Sequence, residues 1–172
     1  MREKLEKLLS DLLLEYCREK QMDPLWRTPL VGFADARAEG FGDLRRIVDP
    51  EHALPRELLP EATIVLSYFL PWREEIAASN VGGEDCSAAW ANAYVVTNRM
   101  VAEWLNPQLA AALRERGNKV AIPQDAGIIS EEKLWSHWSQ RHVAYLAGLG
   151  TFGLNNLLIS ERGSSGRYFS VV

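Results

Sequence analysis

The sequence predicts an α/β or α+β domain, and three features of it carry that reading. An amphipathic helical pattern opens the chain, a β-branched and aromatic run stopped by a proline follows, and helical and strand-like patterns then alternate loosely to the end. With 172 residues the chain matches one domain of about 100–200 residues. It divides into an N-terminal helix over residues 1–22 and a core over residues 23–172.

In the first helix, Leu5, Leu8, Leu9, Leu12, Leu13 and Tyr16 fall on one face and Arg2, Lys4, Lys7, Asp11 and Glu15 on the other. Mixed charge on the polar face favours docking onto the core over a membrane or nucleic acid. The helix is expected to fray near Gln21, because Pro24 disfavours helical geometry at Asp23. Prolines and glycines punctuate residues 24–60 and predict short pieces, with a brief helix at 35–39. Residues 63–70, TIVLSYFL before Pro71, read as a strand covered on both faces. A polar loop at 79–85 leads to a helix at 87–104, on which Trp90, Tyr94, Thr97, Val101 and Trp104 trace one face. A break is expected at Asn106-Pro107, then a helix that ends at Gly117. Residues 119–122 read as a second buried strand, 123–129 as a loop and 131–147 as a third helix ended by Gly148 and Gly150. Residues 157–160 and 168–172 read as two further strands.

Composition excludes several classes. Apolar residues at 47% and charged residues at 24% are ordinary for a globular chain. A net charge of −4 argues against a surface built to grip a nucleic-acid backbone. Cys17 and Cys86 are too few for a disulfide framework and fit a reducing compartment. No secretory signal and no membrane-length apolar run is evident, so a soluble, cytoplasmic protein is expected.

Four motifs carry candidate chemistry. Gly148-Leu149-Gly150-Thr151-Phe152-Gly153 has the glycine spacing of a dinucleotide loop, but a helix leads in and a turn and strand lead out, the reverse of the order that function needs. It remains either a backbone loop offering N–H groups to a ligand or a tight helix-to-strand turn. His137 and His142 are five residues apart, a spacing that turns them away from each other on a helix, so no metal site is expected there. Asp125, in a loop beyond a predicted strand, is either a proton donor or a turn residue. Gly163-Ser164-Ser165-Gly166-Arg167 is a donor-rich loop suited to phosphate or carboxylate, or a plain hairpin turn.

The segment from Arg141 through Gly148-Leu149-Gly150-Thr151-Phe152-Gly153-Leu154-Asn155, followed by Leu157-Leu158-Ile159, Gly163 to Arg167 and Ser170-Val171-Val172, resembles the core of the epoxyqueuosine reductase-like iron–sulfur proteins. Reductive dehalogenases are more distant relatives of that family. The likeness extends loosely back to Pro24, with Leu59-Pro60-Glu61-Ala62 and the strand after it similar to the same family. The resemblance implies a nitroreductase-like mixed sheet flanked by helices that holds cobalamin. It also implies a following ferredoxin-type module with two four-iron clusters as electron donor.

On that likeness Gly148, Leu149, Gly150, Thr151, Phe152, Gly153 and Asn155, with Gly163, Ser164, Gly166 and Arg167, are expected to line the cofactor cleft. Asp125 stands for the family's acidic proton donor, and His142 and Tyr145 are candidates for part of that role. Two cysteines cannot supply two clusters, so the ferredoxin-type module is expected outside this chain, in cis or in trans. The expected partners are that module and a small-molecule or modified-nucleoside substrate. Two other readings stand beside this one: a non-catalytic domain that docks through Trp135, Trp138 and Tyr145 onto such a module or a second copy, and a nitroreductase-like enzyme binding FMN.

Overall fold

The computed structural model describes residues 1–126, 129–130 and 135–172, with the side chains of residues 129, 130 and 135 outside the description. Helix α1 (Arg2–Lys20) ends on Gln21 in the left-handed conformation and buries Leu9, Leu13 and Cys17. Strand β1 (Leu30–Asp35) follows, then α2 (Glu39–Ile47), the single turn α3 (Pro55–Leu58) and strand β2 (Ile64–Pro71). The brief helix expected at 35–39 is therefore corrected: Asp35 closes a strand that proline and glycine had masked, and the helix begins at Glu39.

A short helix α4 (Glu74–Ala78) leads to α5 (Ala88–Met100), capped by Ser87, whose hydroxyl accepts from the Trp90 amide at 3.1 Å. The break expected at Asn106-Pro107 does not occur. A π-helical turn (Val101–Leu105) carries the chain straight into α6 (Asn106–Arg114). Pro107 sits in the first turn of α6, directly after the π-helical turn.

Residues 119–122 form no ladder strand. Instead Ala121 exchanges two hydrogen bonds with Val172, at 2.7 and 2.9 Å. A 3₁₀ turn (Pro123–Ala126) and a small hairpin of β3 (Ile129–Ser130) and β4 (Trp135–Ser136) precede α7 (Gln140–Leu146). The third helix is thus shorter than the expected 131–147. Its first four expected positions, 131–134, lie outside the described residues. Gly148, with φ 74°, ends α7, and a hairpin of β5 (Thr151–Phe152) and β6 (Leu158–Ile159) leads to β7 (Gly166–Val171).

The main sheet runs β1-β2-β7, antiparallel at both pairings, so the class is α+β. Alternation along each strand divides two apolar layers. Val31, Leu66, Tyr68, Leu70, Phe169 and Val171 pack against α1, α5 and α6. Val65 and Ala34 pack with Phe41 and Val143 from α2 and α7, and Phe69 with Ala144 and Leu149. Gly32 permits the second layer to close: a Cβ there would meet the Ala147 carbonyl oxygen at 2.4 Å. β2 is the middle strand, buried from Val65 to Pro71, which accounts for its uninterrupted apolar sequence. Among the described residues no helix is long and apolar enough to cross a membrane.

Candidate ligand cavity

A cavity of about 660 Å³ lies beside β7, an edge strand of the sheet, and both helical layers contribute to its wall. From α5 come Tyr94 and Asn98, and from the start of α7 Gln140 and Arg141. Gln124 comes from the 3₁₀ turn, and Ser164, Gly166, Arg167 and Tyr168 come from the end of the chain. Its volume falls within the range of about 300–1,000 Å³ typical of small-molecule sites.

Hydrogen bonds tie the wall to the core. Trp138 Nε1 donates to Ser170 Oγ at 2.9 Å, and Ser170 donates onward to Gln140 Oε1 at 2.7 Å. Tyr68, wholly buried, donates to Asn106 Oδ1 at 2.7 Å, and Asn106 Nδ2 donates to Gln124 Oε1 at 3.3 Å. Arg167 Nε donates to Asn98 Oδ1 at 3.1 Å, and its guanidinium carbon stands 4.7 Å from the centre of the Tyr94 ring. Tyr168 donates to the Leu158 carbonyl at 3.0 Å, and burial pushes its phenol up to about 12, so it stays a neutral donor.

Ser139 joins this wall to two histidines. Its amide donates to His52 Nε2 at 3.0 Å, and its hydroxyl lies 2.7 Å from His142 Nδ1. His52 Nδ1 lies 2.8 Å from the Ala53 carbonyl, so the neutral ring with hydrogen on Nδ1 satisfies both contacts. Burial lowers the pKa of both His52 and His142, and the nearby Arg141 charge lowers that of His142 further. At neutral pH both rings are neutral.

The sequence-predicted residues divide. Ser164, Gly166 and Arg167 meet at the cavity, whereas Gly148, Leu149, Gly150, Thr151, Phe152, Gly153, Asn155, Gly163, Asp125, His142 and Tyr145 are not part of its lining. The glycine run makes its close approaches inside the fold. A Cβ on Gly150 would meet the Ile159 carbonyl oxygen at 2.3 Å, and Leu149 is buried in the second layer. Thr151 and Phe152 pair in the β5–β6 hairpin, and Asn155 Oδ1 accepts from the Leu157 amide in its turn. Gly163 forms a tight turn with Ser160. Asp125 is exposed on the 3₁₀ turn while its neighbour Gln124 faces the cavity. His142 reaches the wall only through Ser139, and Tyr145 is half exposed beside Phe152.

Several wall residues carry no sequence signal of their own. Tyr94 and Asn98 read simply as helix positions, and Gln124 as part of a loop. Ser139 and Gln140 lie in the functionally dense stretch after Trp135, where the histidines drew attention away from them. The three residues of the expected docking face, Trp135, Trp138 and Tyr145, stand differently, with Tyr145 half exposed. Trp138 is buried between Phe41 and His52, and the Trp135 side chain lies outside the described residues.

Away from the cavity, Asp49, Glu51 and His137 bring ligand-type atoms within 4.8 Å of one another, a grouping the sequence concealed because the acids and the histidine are far apart in it. Cys17 is buried and Cys86 exposed. Two thiols do not fit a four-iron cluster, which needs four. Asn98, Gln124 and Gln140, with the serine hydroxyls and the aromatic wall, do fit a flat ring with an amide-bearing rim in donor chemistry.

A helix-flanked antiparallel sheet with a polar cavity at its edge strand defines the class of fold. That fold is the one found in epoxyqueuosine reductase. A crystal structure of a selenomethionine-labelled epoxyqueuosine reductase superimposes with a TM-score of 0.51 at 18% identity, over 96% of this chain and 45% of that one. A structure of the Bacillus subtilis enzyme, with its catalytic aspartate loop swung out of the active site, does so with the same TM-score and coverage at 17% identity. This chain therefore spans less than half the length of the solved structures it matches. No protein-family model and no curated protein matches the sequence.

Proposed function

We propose that this chain is the cobalamin-binding domain of a reductase similar to epoxyqueuosine reductase, with the ligand held in the cavity beside β7. Electrons would come from iron–sulfur clusters in a ferredoxin-type module outside this sequence. The observation that carries the reading is the cavity itself. Its wall includes the loop from Ser164 to Arg167, which belongs to the segment whose sequence resembles that family. The shared fold supports it.

When bound, cobalamin supplies the electron-rich metal centre, and the protein supplies orientation and protons. Asn98, Gln124 and Gln140 are suited to hold the amide rim, since Gln140 and Gln124 are themselves fixed by Ser170 and Asn106. Ser139 lines the cavity, and His142, neutral at pH 7, is placed to exchange a proton with its hydroxyl across their 2.7 Å contact. Asp125, exposed and outside the lining, is less suited to that task.

The test is retention of colour. Protein incubated with hydroxocobalamin and passed through a gel-filtration column should emerge with the corrinoid absorbance, and replacing Gln140 by Leu should reduce the amount retained. Colourless protein at micromolar loading would overturn the reading, and a yellow protein as isolated would direct attention to a flavin.

A further inference from the structure

We infer that the ligand of this cavity presents an anionic head group, a phosphate or a carboxylate, to Arg141 and Arg167. The inference rests on the cavity being the ligand site, and not on the ligand being a corrinoid. Both arginines line the cavity, and among the described residues its wall contains no aspartate or glutamate. Arg27, Arg45, Arg46, Arg73 and Arg99 each lie within 4.0 Å of a carboxylate. In a chain with more acids than bases, two cations lining one hollow whose described wall holds no acid favour a ligand of negative charge there.

The arrangement also presents donors. Arg167 spends its Nε on Asn98 and holds its guanidinium carbon over the Tyr94 ring, which fixes the group and leaves its terminal nitrogens for a ligand. Arg141 is anchored through one terminal nitrogen by the Asn156 carbonyl. Ser164 and Ser139 add hydroxyls to the same wall. A fixed guanidinium fork matches the paired oxygens of a phosphate or carboxylate better than a neutral ligand of the same size.

Inorganic phosphate is the probe. Calorimetric titration of the protein with phosphate, repeated with acetate, should show saturable binding. Arg167→Gln and Arg141→Gln should each weaken it by about tenfold or more, and the double variant should abolish it. Arg37→Gln, remote from the cavity, should leave it unchanged. Arg141→Lys and Arg167→Lys keep the charge and should retain part of the binding, which separates loss of a partner from loss of fold; near-UV circular dichroism checks the latter. Absence of saturation, or binding that survives in the double variant, would overturn the inference.

A second titration on protein loaded with hydroxocobalamin separates two sources. Phosphate binding that persists assigns the anion to a substrate, and phosphate that is excluded assigns it to the cofactor's own phosphate. Retained cobalamin with no phosphate binding sinks the anion inference alone. Phosphate binding with no cobalamin retained sinks the cofactor reading alone.

Discussion

Thr97 shows how much one hydroxyl can organise. Its buried Oγ1 accepts from the indole N–H of Trp26 at 2.9 Å and from that of Trp72 at 3.0 Å. These two bonds join α5 to both segments that bracket the sheet. Thr97→Val keeps the shape and leaves two buried donors without an acceptor, at about 1–3 kcal/mol each. Chemical denaturation of that variant should show a loss of at least about 2 kcal/mol. His52 supplies a second test at this scale. Burial depresses its folded pKa below the ordinary 6.5, so below that pH the unfolded chain takes up more protons than the folded one. Its contribution is therefore complete above about pH 6.5 and is lost as the pH falls. Urea midpoints measured from pH 7.5 down to pH 5 should decline, and His52→Gln should flatten the decline while lowering the plateau by about 1–3 kcal/mol.

At the scale of elements, two contacts fix where the helices stand. Removal of the Ser87 cap in Ser87→Ala frees the Trp90 amide and should cost about 0.5–2 kcal/mol in thermal or denaturant unfolding. Gly32→Ala forces a methyl against the backbone of Ala147. It should destabilise by about 1–3 kcal/mol and lower the retention of any cavity ligand, because α7 carries Gln140 and Arg141. These elements were unequally legible. α1 could be read because its apolar residues keep helical spacing, and β2 because both its faces are covered. β1 was hidden: Gly32 is there for a tertiary contact with α7 that no local pattern announces. The π-helical turn overrode the break expected at Pro107, since Asn106 is held from outside the helix by Tyr68. In the cavity, Arg167 and Ser164 were legible as a donor-rich loop. Asn98 and Gln124 were not, because only the fold brings α5 and the 3₁₀ turn to the same hollow. The glycine run makes tight approaches to Ile159 within the fold, a packing use that its spacing alone does not announce.

Over the whole molecule, stability rests on the two apolar layers and not on surface charge. The described Lys and Arg ion pairs, such as Lys7–Asp11 and Arg46–Asp43, lie mainly on exposed side chains, so raising the salt concentration should move the unfolding midpoint little. The sheet depends instead on its last strand. β7 completes both layers through Phe169 and Val171 on one face and Tyr168 on the other. Deletion of residues 166–172 turns β2 into an edge and opens both layers. The shortened chain should fail to give a cooperative unfolding transition by circular dichroism.

The late position of β7 also bears on how the protein is made. Ser67 pairs with Ser170, so about a hundred residues must be synthesised after the middle strand before its partner leaves the ribosome, roughly 5–20 s at ordinary elongation rates. During that interval the nascent chain carries Val65 to Leu70, among the most aggregation-prone stretches of the sequence, with one side of its ladder open. Chaperone demand in the cell should therefore fall once residues 166–172 have emerged.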